Sequence, residues 1–471
     1  MQNFLHGVET VEIERGAKPV RVIKTGVIAI VGTAPIGPNT FTLSLNETDA
    51  AAFGPPLPGF TLPESLRSIY RYGVGTVIVV NVLDRAVHKT AVAAEAATLV
   101  ADRLTTAHPA LLNLTVQSAD LATTYVADTD YAVDLVTGVV TRKAGGAIAA
   151  GATLSLGYEY ADPTKVTTAD VIGATAVDGS RSGLQALLDV YSAFGFDPKI
   201  LIAPGFGTLS SVAAELEALA DRFEAVAYAD APIGTTVTQA ITGRGPLGTI
   251  NFNSSSERVR LCYPHVQVFD TATNAPRLEP LSVHAAALRA KVDQDDGYWV
   301  SSSNHELVGV IGLERPLTAR DSDPASEVNL LNEVGITTVF NSFGTGFRLW
   351  GNRTAAWPSN TGIRTFESSR RTADVINESL RVSSLQFVDR PLDQALIDSL
   401  VATGDAFMRK QQGDGATIGY AVWYDPARNP EQNLALGNLR ISYRFTPALP
   451  MERLTYESEI TSEFLVTFQG S

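Results

Sequence analysis

At both ends of the chain, apolar and polar residues alternate with the period of a β-strand. From Glu459 to Phe468 the side chains of Ile460, Phe464, Val466 and Phe468 fall on one face, with Glu459, Thr461, Glu463 and Thr467 on the other. This is the signature of a half-buried strand. Near the start, Val11 and Ile13 alternate with Thr10, Glu12 and Glu14, and Gly7, Gly16 and Pro19 bracket a segment too short to bury itself. A strand at a terminus presents a row of backbone N–H and C=O groups that pairs with another chain unless something covers it. Both ends are therefore predicted to be arms that join copies of the protein.

Between the arms the period changes repeatedly. Gly26 to Val31 and Val77 to Val82 are short β-branched runs, and Leu62, Leu66, Ile69 and Tyr70 share one side of a helix predicted over Pro63 to Tyr72. Strand, helix, strand implies a parallel pair with a crossover. The alternation returns as helix Ser182 to Phe194, strand Lys199 to Ala203, helix Leu209 to Phe223, strand Ala225 to Tyr228, strand Val259 to Phe269 and helix Val283 to Lys291. An insert separates the two halves. Its alanine-rich part, Ala91 to Leu104, is predicted to be helical. Tyr131, Val133 and Leu135 alternate, Thr137 and Gly138 turn, and Val139 to Arg142 and Leu154 to Tyr160 continue as strands.

From Phe366 onward Ala373, Ile376, Leu380 and Phe387 are in helical register, and Pro391 opens a second helix over Leu392 to Gln411. Thr417 to Tyr424 then reads as a strand, and Leu439, Ile441, Tyr443 and Phe445 alternate with Arg440, Ser442 and Arg444 in another. The fold class predicted is multidomain α/β and α+β. An open α/β sheet domain carries a β-rich inserted domain, followed by an α+β C-terminal domain, with extended strand-like N- and C-terminal arms. The boundaries fall at residues 1–21 for the N-terminal arm, 22–87 and 169–358 for the two parts of the sheet domain, 88–168 for the insert, 359–454 for the C-terminal domain and 455–471 for the C-terminal arm.

Length and charge narrow the function. A chain of 471 residues divides into about three domains at roughly 100–200 residues each. The 36 basic and 50 acidic residues give 36 − 50 = −14, which argues against nucleic acid as a partner, because phosphates are neutralised by clustered Lys and Arg. Cys262 is the single cysteine, so no intrachain disulfide forms and a reducing compartment is expected. Met1 to Pro19 reads as no signal peptide, and no apolar stretch approaches the ~18 residues of a membrane span. The expectation is a soluble protein that folds where it is made, without membrane insertion.

The motifs that suggest chemistry dissolve on inspection. Gly243, Gly245 and Gly248 match G-x-G-x-x-G, but a dinucleotide site needs a helix N-terminus immediately after the glycines. Here Pro246 interrupts and an extended run follows, so a glycine-rich loop is predicted. Asp293, Asp295 and Asp296 with Gly297 lack the ligand spacing of a calcium loop and read as a solvated helix end. The histidines, His6, His88, His108, His265, His284 and His305, have no i, i+4 pair and no cysteine partner from which a zinc site could assemble. Ser301, Ser302 and Ser303 have no activating motif. No catalytic residue, metal or cofactor is predicted.

The segment from Gly297 to Pro358 is dense in Gly, Asn, Arg and Trp and contains YWVSSSNHELVGVIGLERPL, LLNEVGITTVF and RLWGNRTAAWPS. With the opening HGVETVEIERGAKPVRVIKTGVIAIVGTAPIGP and the late GNLRISYRFTPALPMERL, these phrases resemble the contractile tail sheath proteins of bacteriophages, above all the P2-like and Mu-like sheaths and the related R-type bacteriocin sheaths. The resemblance covers both flanks of the insert. It implies a structural, non-enzymatic subunit that stacks as hexameric rings around a tail tube and contracts to drive the tube through a cell envelope. Its partners would be itself, the tail tube protein, and baseplate and tail terminator proteins. It would be a virion tail component assembled in the host bacterial cytoplasm.

The resemblance further implies arms that add strands to neighbouring C-terminal sheets. On this chain the exchange residues would be Val11, Ile13, Ile460, Phe464, Val466 and Phe468, with Leu439, Ile441, Tyr443 and Phe445 in the acceptor sheet. Tube contact would come from the C-terminal domain, for which Arg370, Arg371, Arg409 and Lys410 are candidates; terminal Lys and Arg also favour the helix dipole without any partner. The insert would lie on the outer surface. Asn332, Gly335, Trp350, Arg353, Thr354 and Trp357 are predicted to form a packed inner corner, with Arg353 satisfied by buried carbonyl groups. The alternatives are a sheath of another phage-related injection system or R-type bacteriocin, and an α/β cofactor-binding enzyme.

Overall fold

In a computed structural model, the described residues are 19–271, 273–320, 322–341, 344 and 346–464. Val11, Ile13, Val466 and Phe468 lie outside them. The β-branched runs form β1 (Ile28–Gly32), β2 (Phe41–Ser44), β3 (Val77–Asn81), β4 (Ile200–Ile202), β5 (Val226–Asp230), β6 (Val259–Cys262), β7 (Ile336–Phe340) and β8 (Arg348–Trp350). They make one sheet in the order β8-β7-β6-β5-β4-β1-β3-β2. Its inner strands, from β7 to β3, are parallel, and β2 and β8 close the edges antiparallel. Parallel strands covered on both faces need no polar side, and β1, β3, β4, β5, β6 and β7 are buried along their whole length.

Two helical layers cover this sheet. On one face lie α1 (Leu62–Tyr70) and α3 (Leu281–Asp295), packing Leu66, Ile69, Leu281 and Leu288 against Ile28, Ile30, Val77 and Val79. On the other lie α2 (Ser210–Phe223) and the segment Gly183–Phe194, with Leu184, Leu187, Leu216 and Phe223 against Val27, Val31 and Leu201. That last segment was expected to be one helix from Ser182. It is a 3₁₀ stretch, Gly183–Asp189, followed by one short α-helix, Val190–Phe194. The strand expected over Val259 to Phe269 also divides: Pro264 has no N–H for a ladder, β6 ends at Cys262, and Val266–Asp270 joins a separate three-stranded sheet with Ala275–Glu279 and Val310–Leu313.

The insert differs from its prediction at its start. Lys89–Thr98 is a strand rather than a helix, because it finds a partner along its length in Thr153–Ala161. Alanine's helix propensity is worth only tenths of a kcal/mol per residue and yields to that pairing. The strands between Lys89 and Ala161 pair only among themselves, in one four-stranded and one three-stranded sheet around Leu111, Val116, Val140, Leu154 and Leu156. Lys89 stands opposite Ala161 in the ladder, so the chain enters and leaves the insert side by side.

Beyond residue 359 the chain builds α4 (Glu367–Ser384), α5 (Gln394–Gly413), β9 (Thr417–Tyr424) and β10 (Ile441–Pro447). Strands β9 and β10 form an antiparallel ribbon, one face of which packs Tyr420, Val422 and Phe445 on Ile376, Leu380, Phe407 and Met408 of the two helices. Val20, at the start of the described chain, packs into the same cluster.

Candidate functional site

Three features of the C-terminal third stand out: an open ribbon, an exposed tail and a charged seam. The ribbon follows from residue alternation. Tyr424, Val422 and Tyr420 stand opposite Ile441, Tyr443 and Phe445, so the apolar set faces the helices. Tyr443 also donates its hydroxyl to the Asn377 side chain at 2.8 Å. Leu439, expected in the strand, precedes it, since β10 begins at Ile441. Of the side chains named for the acceptor sheet, Phe445 packs on the subunit's own helices, and Tyr443, still exposed, is tied to one of them through Asn377. What the ribbon offers outward is backbone: among the described residues β9 and β10 pair only with each other, which leaves both outer edges without a partner strand.

The tail after β10 has no regular structure through residue 461. The half-buried strand expected from Glu459 is not formed in the described part, where no strand among the described residues pairs with it. Met451, Leu454, Tyr456, Ile460 and Phe464 are exposed, Ile460 fully. Lone exposed apolar residues are ordinary, but a run of them on one extended segment marks a contact surface. The root of the tail is fixed. The Glu452 carboxylate accepts from Arg353 at 3.1 and 2.6 Å, and the guanidinium lies over the rings of Trp357 and Phe366, at 4.2 and 3.5 Å.

Arg353 is therefore held by a carboxylate, two aromatic faces and the Thr365 hydroxyl, not by the carbonyl groups expected. The carbonyl-bound arginine of this corner is Arg244, from the glycine-rich loop. Its side chain donates to the carbonyl oxygens of Val334, Phe252, Ser254, Ala355 and Trp357 at 2.5–2.9 Å, one bond for each of the five N–H groups of a guanidinium. Burial pushes its pKa down. The glycines serve close packing: a Cβ on Gly248 would meet the Gly243 backbone at 2.5 Å. Asn332 donates to the Ile336 and Trp350 carbonyls, and a Cβ on Gly335 would strike the Trp357 carbonyl. The expected inner corner forms, with the glycine-rich loop as an unforeseen member.

The seam joins α4 to the α/β sheet. Glu367 pairs with Arg260 and accepts from Tyr228; Arg371 pairs with Asp293; Asp374 accepts from Arg258 at 2.6 and 2.9 Å; Lys199 reaches Glu378; and Arg381 meets Glu224 at 2.9 Å through both nitrogens. Burial alone would raise the Glu367 carboxyl, but Arg260, Arg289 and Arg371 outweigh it and hold the pKa below the usual carboxylate range. At Glu378 the balance reverses: burial outweighs Lys199 and the pKa is raised. Asp293 is not the solvated helix end expected, being enclosed by Arg289 and Arg371.

The tube-contact candidates separate accordingly. Arg371 is buried and spent on Asp293 and the Lys199 and Thr25 carbonyls, so it presents no guanidinium face to a second protein. Arg370 is mostly covered, between Asp374 and Glu257. Arg409 and Lys410 are exposed at the end of α5, each with an i,i+4 acid partner, Asp405 and Asp414.

An open, mainly parallel sheet with a β-rich insert and a helix-backed ribbon is an architecture shared with known proteins. Residues 179–355 match the phage tail sheath protein central domain, and residues 363–461 match the phage tail sheath C-terminal domain. The tail sheath protein of Burkholderia phage BcepMu is 61% identical over 472 residues, covering 99% of both chains. A putative prophage major tail sheath protein of Pseudomonas aeruginosa is 34% identical, over 66% of this chain and 78% of its own. The helical sheath of the anti-feeding prophage in its contracted state superposes with a TM-score of 0.61 at 17% identity, covering 98% of this chain and 100% of that one. The chain belongs to the phage tail sheath family. It is a structural tail sheath subunit, and its relatives are sheath proteins rather than enzymes.

Proposed function

We propose that this subunit polymerises as stacked hexameric rings around a tail tube, linked by terminal strands donated to the β9–β10 ribbons of neighbours, and that the lattice contracts to drive the tube through a cell envelope. The observation that carries this reading is the pairing of needs within one subunit: a ribbon whose outer edges no other strand among the described residues pairs, and a tail with exposed Met451, Leu454, Tyr456, Ile460 and Phe464. Strand addition satisfies both, since backbone hydrogen bonds provide affinity and alternate side chains set the register. Because β10 turns its apolar side chains inward, the donated strand supplies new apolar chains over the same helices.

The remaining parts fit this arrangement. Arg409 and Lys410 are the exposed basic pair of the C-terminal domain and would face the tube protein. The insert, residues 88–168, would stand on the outside of the cylinder, and baseplate and terminator proteins would close its ends. Assembly in the cytoplasm of a host bacterium agrees with the buried lone thiol of Cys262. The purified chain is expected to form long hollow tubes or stacked rings by negative-stain microscopy as concentration rises, without tube protein. A species sedimenting only at the monomer mass at high concentration, with no tubes, would overturn the proposal.

The insert allows a separate check. Because Lys89 and Ala161 are ladder partners, their Cα atoms lie about 5 Å apart, and a short Gly/Ser linker replaces residues 90–160 without displacing either end. The shortened chain is expected to fold and polymerise into thinner tubes. Loss of folding would show that the joint around Phe60, Leu83, Ala110 and Ala161 is part of the main core.

A further inference from the structure

Along α4, Glu367, Arg371, Asp374, Glu378 and Arg381 follow one another at steps of four, three, four and three residues, which keeps them on a single helical stripe. Each meets an opposite charge of the α/β domain, in order Arg260, Asp293, Arg258, Lys199 and Glu224. We propose that this stripe is a register key, holding the helix-and-ribbon unit against a one-turn slip along the α/β sheet. The signs along α4 read minus, plus, minus, minus, plus. The facing signs read plus, minus, plus, plus, minus.

The sequence of signs matters more than the number of pairs. Move α4 one turn in one direction and Arg371 meets Arg260, Asp374 meets Asp293 and Arg381 meets Lys199; only Glu378 against Arg258 is matched. Move it the other way and Glu367 meets Asp293, Arg371 meets Arg258 and Glu378 meets Glu224; only Asp374 against Lys199 is matched. Either slip turns three of four encounters into like charges. All but the last pair are almost fully buried, with side chains at most 13% exposed, where water does little to screen them. An apolar stripe would tolerate the same shift, because hydrophobic contact is non-directional. Buried ion pairs contribute little net stability over apolar packing, and fixing register is their best-attested use. Resting on the strand exchange proposed above, the ribbon would be loaded by the arms of neighbours, and slip at this seam would dissipate the stroke.

Cysteine crosslinking in the full chain, with a bifunctional thiol reagent long enough to span an arginine–glutamate pair, tests the key. Cys262 is buried, so added cysteines are the reactive ones. Glu224→Cys with Arg381→Cys reports the native register, and Glu224→Cys with Leu385→Cys, one turn further and exposed, reports the slip. Arg371→Gln with Asp374→Asn removes two of the three like-charge encounters in that direction and leaves Asp293 with Arg289 and Arg258 with Asp221. The slipped crosslink is expected to rise at least roughly tenfold in that background, and to stay at the parent level with Ile376→Val, which loosens the apolar face of α4 without touching the stripe. No rise in the folded, neutralised chain, or an equal rise with Ile376→Val, overturns the key. If the neutralised pair fails to fold, Asp374→Asn alone with the slip reporter decides: a rise supports the key, and none defeats it.

Discussion

Removing residues 461–471 is expected to leave a folded, soluble subunit that no longer builds tubes. The subunit should survive because Ile460 and Phe464 are exposed and the Glu452 anchor lies upstream of the cut. The lattice should not, because under the proposed strand exchange the deletion takes away the donated strand. Six residues of such a strand supply several backbone hydrogen bonds at a net ~1 kcal/mol each, and each large apolar side chain buried against a neighbour adds ~1.5–3 kcal/mol. Ordering the strand and docking the subunit consume much of this gain, so little remains when the strand is gone. Deleting residues 1–16 is expected to act in the same way. Ile460→Asp is the milder version, keeping the circular dichroism and thermal midpoint while placing a charge in the neighbour's apolar contact. Normal tubes from the truncated chains would end the strand-exchange account and leave the family membership untouched.

The second large effect falls on stability. Glu367→Ala strips the counter-charge from Arg260, which is fully buried, and breaking one side of a buried pair costs about 3–5 kcal/mol. The midpoint of thermal unfolding is expected to fall by roughly 6–20 °C. The pH dependence carries a sign. The folded state holds the Glu367 pKa below its ordinary value, so its contribution is fully present above the unfolded carboxylate value of ~4.3 and is lost as pH falls through the folded pKa. Glu367→Gln should therefore flatten the acid limb of the stability curve below about pH 4.3 as well as lower it at neutrality. An unchanged acid limb would assign the acid sensitivity to other carboxylates.

The α/β alternation was legible because β-branched runs such as Val77–Asn81 belong in a buried parallel sheet, and the glycine-rich loop because no helix follows it. Ala91–Leu104 misled because propensity is local and the ladder with Thr153–Ala161 is not. In β10 the period of two placed Ile441, Tyr443 and Phe445 on one face, yet period alone does not say whether the covering layer is the chain's own. The seam was missed for a related reason. Charges on a helix read as solvent-facing, so Arg370 and Arg371 suggested a partner and Asp293 a solvated end. The available signal was that α4 carries two stripes, apolar at Ala373, Ile376 and Leu380 and charged at Arg371, Asp374, Glu378 and Arg381. A helix striped twice has two neighbours.

The clamp of Glu452 on Arg353 sets a length. From that anchor to Phe464 there are 464 − 452 = 12 residues, which when extended span about 40 Å at roughly 3.3 Å per residue. In the proposed lattice such a tether would act as a leash of fixed span. Neighbouring ribbons would be free to change orientation while their separation from this corner stayed capped, so the connectivity of the mesh would be preserved as its shape changed.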